Sequence, residues 1–79
     1  MSFAGEFIKK HREARNLSQK YVAAQLGFSN SFMAKVETGN CNLPMSYVSK
    51  LSRVLDVDKS ELIKVMKKDY GVKAESAGA

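Results

Sequence analysis

Few side chains in this sequence are suited to bond-making chemistry. It holds one histidine, His11, and one cysteine, Cys41, and neither has a neighbour at a spacing that would pair a nucleophile with a base or close a metal shell. No Gly-rich phosphate loop is present. Enzymatic activity, a metal and a cofactor are therefore not expected. The sequence offers instead a short run of hydrogen-bonding groups, Asn30, Ser31 and Lys35, interleaved with Met33 and Val36 at i, i+3. If the run is a helix whose apolar pair faces a core, the amide, the hydroxyl and the ammonium face outward. Groups of that kind recognise a surface by hydrogen bonding and do not transform it.

The chain that must position them is small. Its 79 residues leave room for one domain and one core, which at this size supplies only a few kcal/mol. Hydrophobic residues make up 44% and charged residues 27%, as in ordinary soluble domains, and no apolar run approaches the ~20 residues of a membrane span. The N-terminus MSFAGEFIKK reaches charge before any signal-like apolar stretch develops, so a cytoplasmic location is expected. A lone cysteine gives no intramolecular disulfide. The net charge of +5 favours polyanions, although charge of this size alone does not decide for nucleic acid.

The periodicity predicts five helices. The first covers residues 3–16, with Ala4, Ile8 and His11 or Arg12 at helical spacing. Ser18 caps the second, Gln19 to Leu26, whose inner face is Val22, Ala23 and Leu26. Gly27 supplies a left-handed stop, and Ser29 caps a third helix over residues 30–37. The stretch ETGNCNLPM reads as a loop. Pro44 then sits in the first turn of a fourth helix with Met45, Val48, Leu51, Val54 and Leu55 as its buried stripe. Asp58 or Lys59-Ser60 opens the fifth, carrying Leu62, Ile63, Val65 and Met66. The domain is expected over residues 1–70, with residues 71–79 a disordered tail of small polar residues. No strand-like alternation appears, so the fold class is all-α.

From Arg12 onward the pattern R-x4-L-S-Q-x3-A-x2-L-G-F-S-N-S-x4-V-E-T-G-N resembles the Cro/phage-repressor (Xre-like) helix-turn-helix family. Arg12, Leu17, Gln19, Ala23, Leu26, Gly27, Ser29, Val36, Glu37 and Gly39 all fall in register, and fixed spacing across that many positions is far more specific than any one of them. The resemblance implies a compact five-helix, lambda-repressor-like domain with its helix-turn-helix at helices 2 and 3. Physical reasons accompany it. Ala23 must be small where two helices cross at ~90–120°, Gly27 makes the turn, and Leu26, Met33 and Val36 lock the pair to a core of Ile8, Leu17, Val48, Leu51 and Leu55. The family also implies a largely buried ion pair between Arg12 and Glu37.

A helix of this type is expected to enter the DNA major groove while its predecessor crosses the backbone. Asn30, Ser31 and Lys35 are then the base readers, and Phe32 either touches a thymine methyl or packs on a neighbouring helix. Ser18, Gln19 and Ser29 at the helix starts, Thr38, Asn40 and Asn42 in the following loop, and Lys9 or Lys10 near helix 1 are expected at phosphates. In similar proteins the residue matching Gln19 also braces the readers.

Helix 5 has more apolar residues than one face needs. Leu62 and Met66 can serve the core, and a twofold interface is assigned to Ile63, Val65, Met66 and Tyr70. A homodimer on a palindromic operator, acting as a transcriptional repressor, is the expectation. The alternative is an antitoxin-like or other protein-interaction module with an autoregulatory helix-turn-helix, and an RNA-associated or coactivator-like domain is a third reading. His11 is expected to pack. Cys41 invites a redox role for which no adjoining basic group speaks, and Lys64, Lys67 and Lys68 read as a solvated face.

Overall fold

The computed structural model describes the backbone of residues 2–78 and the side chains of residues 2–69. Five α-helices follow one another: α1 Phe3–Ala14, α2 Gln19–Leu26, α3 Asn30–Thr38, α4 Val48–Leu55 and α5 Lys59–Gly78. No strand occurs among the described residues. The expected break near Gly71 and the disordered tail over 71–79 fall outside the residues described in full, as does the side chain of Tyr70.

Local chemistry sets the boundaries. Ser2, Ser18 and Ser29 each accept a first-turn N–H through their hydroxyl, from Gly5, Tyr21 and Phe32 respectively, which satisfies donors that a helix start leaves free. Gly27 at φ 77° and Gly39 at φ 88° close α2 and α3 in the left-handed region, where an L side chain is disfavoured. Two other stops use non-glycine residues at positive φ, Asn16 at 58° and Asp56 at 55°. Asn is among the residues that tolerate this region, and Asp shares its short polar side chain.

One core unites the helices. Ile8, Val22, Ala23, Leu26, Met33, Val36, Leu43, Val48, Leu51, Leu55, Leu62 and Met66 form a continuous buried cluster. Two expectations are corrected by the packing. Met45 is 59% exposed and is not part of the α4 stripe, because the chain enters α4 through a 3₁₀ turn at Met45–Tyr47. Leu43, in the preceding loop, is buried in its place. Met66 is only 2% exposed and belongs to the core, so it has no surface to offer a partner.

Two long-range contacts fix α1. The Asp69 carboxylate of α5 accepts the N–H groups of Phe3 at 2.8 Å and Ala4 at 3.1 Å, placing a negative charge on the positive end of the α1 dipole. Beside it, Gly5 lies against the end of α3. A Cβ there would come within 2.5 Å of the Glu37 carbonyl oxygen and 2.8 Å of that of Val36. Only glycine permits this approach.

Candidate nucleic-acid interface

The inward side of α3 is settled by burial. Met33, Val36 and Glu37 are buried, whereas Asn30, Ser31, Lys35 and Thr38 are exposed. The three polar side chains assigned to base reading thus lie on the solvent side of one short helix. Phe32 does not join them. Its ring is half-buried and meets Phe28 edge-on at 4.7 Å, and Phe28 in turn contacts Tyr47 at 4.6 Å. This aromatic chain ties the start of α3 to the approach of α4 and is in keeping with the packing alternative for Phe32.

What holds α3 at its height is a buried charge network. Arg12 Nε donates to Glu37 Oε2 at 2.7 Å and its Nη2 to Oε1 at 3.1 Å, a bidentate fork, while Nη1 donates to the Leu17 carbonyl at 2.8 Å. Gln19 Nε2 adds a bond to Glu37 Oε1 at 3.2 Å. The side chain of Glu37 is 3% exposed and that of Arg12 11%. The hydrogen bond to Glu37 raises the Arg12 pKa above its ordinary value, outweighing the opposing effect of burial, with the Glu37 and Glu13 charges adding to it. The guanidinium therefore stays charged at any ordinary pH. Among the described residues no buried side-chain nitrogen or oxygen lacks a partner, so the charges are fully compensated.

The residues assigned to phosphates divide into two places. Lys9, Gln19 and Thr38 line one open groove of about 690 Å³ between α1 and α3, together with Lys10, Arg12 and Ala34. The acidic residues Glu6, Glu13 and Glu37 also border it. Gln19 is half-buried and spends its side-chain amide on Glu37, so what the start of α2 has left to offer is chiefly the N–H groups of Gln19 and Lys20, which have no intrahelical acceptor, that of Tyr21 being taken by Ser18. Ser18 and Ser29 are exposed at the two helix starts, with their hydroxyls engaged as caps. Asn40 is exposed just past α3, whereas Asn42 borders a different crevice with Ala4, Met66 and Asp69. The loop is pinned at its root: the Lys35 carbonyl accepts from the N–H groups of Asn40 and Cys41 and from the Thr38 hydroxyl.

The helix-turn-helix domain family matches residues 4–63. The chain belongs to that family. The chain is also similar to the control protein C.MunI from Mycoplasma sp., 28% identical over 67 residues, covering 85% of this chain and 90% of that protein. Among solved structures, the master regulator for biofilm formation SinR, crystallised in complex with DNA, superposes with a TM-score of 0.67 at 28% identity, covering 76% of this chain and 97% of that one. The all-α, five-helix architecture is thus that of a helix-turn-helix domain, with α2 and α3 as the paired helices.

The remaining assignments are more modest. His11 is half-buried and stacks on Phe7 with ring centroids 4.3 Å apart. Cys41 is a half-buried free thiol. Lys64, Lys67 and Lys68 are exposed, and Lys68 Nζ lies 5.4 Å from the Phe3 ring centroid. Ile63 and Val65 are half-buried against the core, and the large exposed hydrophobic residues among those described are Phe3, Tyr21 and Met45, on other elements. No group of His, Cys, Asp and Glu that could hold a metal occurs among the described residues. No described helix is long and apolar enough to cross a membrane. Sequence reasoning missed Gly5 and Asp69, whose roles depend on partners distant in the chain, and gave Ala34 no role.

Proposed function

We propose that this protein is a sequence-specific double-stranded DNA-binding transcription regulator, a repressor working in the cytoplasm with α3 in the major groove. The observation that carries the reading is the outward side of α3, where Asn30, Ser31 and Lys35 stand free on a helix whose other side is locked by Met33, Val36 and Glu37. An amide pairs with adenine N6 and N7, a lysine with guanine O6 and N7, and serine accommodates either. The α2 N-terminus, Lys9, Thr38 and Asn40 hold phosphates and set register without reading sequence. Membership of the helix-turn-helix family, together with relatives that are a control protein and a regulator bound to DNA, supports the same reading.

The regulator binds as a homodimer, with its two reading helices roughly 34 Å apart on a palindromic site. Ile63 and Val65, half-buried on α5, and Tyr70 beyond them are the residues proposed for the twofold contact. Selection of binding sites from random duplex DNA tests the whole: the expected result is one enriched sequence with twofold symmetry. Enrichment of an asymmetric site would remove the dimer, and enrichment of nothing would remove the regulator. A salt titration complements it, since specific binding must exceed random-DNA binding by ~10³-fold or more at physiological salt.

A further inference from the structure

We propose that Ala34 is a specificity-determining residue of this interface, its methyl group meeting the 5-methyl group of a thymine. The inference rests on the regulator reading above and adds a residue to it. Ala34 follows Asn30 by four positions and Ser31 by three, and precedes Thr38 by four. Residues at those spacings are neighbours on a helix surface. At about 100° of rotation per residue, Asn30, Ala34, Thr38, Ser31 and Lys35 share roughly 140° of arc with Ala34 inside it. Four exposed polar side chains thus share that arc with one small half-buried apolar one, which also lines the groove between α1 and α3 beside Thr38 and Glu37.

Every other apolar residue of α3 is committed elsewhere. Met33 and Val36 are in the core, and Phe32 is turned onto Phe28. Ala34 is therefore the apolar group that a base edge meets when this side of the helix approaches DNA. Thymine alone presents a methyl group in the major groove, and an alanine is among the side chains that make apolar contact with it. A side chain ending at Cβ also lets the helix descend close enough for the short Ser31 and Asn30 to reach their bases.

The test begins with the duplex enriched by the wild-type protein. Each thymine is replaced in turn by deoxyuridine, which preserves pairing and removes only the methyl. One replacement per half-site is expected to weaken wild-type binding about fourfold, the worth of burying a single methyl-sized group, and to leave Ala34→Gly binding unchanged. Glycine weakens a helix interior, so Ala34→Gln, a better helix former, is the second variant, expected to change the preferred base pair at that position and no other. The inference is overturned if no thymine shows the effect, if Ala34→Gly retains it, or if Ala34→Gln selects the wild-type sequence. Failure of the regulator reading looks different, because the wild-type protein would then enrich no duplex.

Discussion

The α2–α3 pair and the junction of α1 with α5 are held by different kinds of chemistry. In the pair, each boundary is set by a residue adjacent to it, with Ser18 and Ser29 at the starts and Gly27 and Gly39 at the ends. At the junction the partners are far apart in the chain: Asp69 caps a helix that begins at Phe3, and Gly5 backs onto the carbonyls of Val36 and Glu37. Local signals make a helix-turn-helix that is well formed, whereas distant contacts decide where that unit sits on the body. The difference predicts that substitutions at the junction and in the buried network damage stability with base preference intact, while those on the outer side of α3 do the reverse.

The largest expected effect comes from the network that joins the two regions. Arg12→Met leaves Glu37 charged and almost fully enclosed, and should cost about 3–5 kcal/mol in denaturant unfolding. The double substitution Arg12→Met with Glu37→Met should recover much of that loss, because no unpaired charge survives. A double variant as unstable as the single one would show that the fork is needed for its geometry and not for its charge balance.

On the reading side, Lys35→Ala should cost ~1–3 kcal/mol of binding to the enriched site and relax preference at one or two positions of each half-site. Thermal unfolding should be nearly unchanged, since Lys35 is exposed and alanine favours a helix. A uniform loss across all duplexes in a competition assay would move Lys35 to the phosphate contacts. Gly5→Ala is the mirror image. The added methyl meets backbone atoms that cannot rotate away, so a loss of ~1–3 kcal/mol in stability is expected, and the variant fraction that remains folded should select the wild-type sequence. The smallest effect is at Asp69→Ala, which removes the cap on α1 and should cost about 1 kcal/mol. Amide hydrogen exchange should accelerate at Phe3 and Ala4 and hardly change in α3; acceleration throughout α3 would erase the distinction between the two regions.

The same division explains how much was legible beforehand. Caps, turns and helical period act over three or four residues, so Ser18, Gly27 and Ser29 could be assigned their backbone roles from sequence. The fork of Arg12 and Glu37 spans 25 residues and was accessible only through family resemblance. Met45 was misplaced, and the burial of Leu43 went unread, because a 3.6-residue period does not describe a loop followed by a 3₁₀ turn. Phe32, left open between two roles, and Met66, assigned to an interface, show a different limit. Both lie on amphipathic helices where the sequence offers more apolar residues than one face requires, and only packing decides which turn inward. Asp69 and Gly5 carried no local signal, since a capping carboxylate and a close-approach glycine are recognised by what stands opposite them.

The carbonyl of Lys35, gripped by three amides and a hydroxyl from the next turn, makes the backbone beneath that lysine an anchored post. Its ammonium sweeps a volume of fixed centre, so the proposed contact with a guanine would freeze only the four-carbon tether, at about 0.5–1.5 kcal/mol. Shortening the tether by a single methylene, as in ornithine, tests the proposed guanine contact: with the main chain held, preference at that base pair is expected to fall.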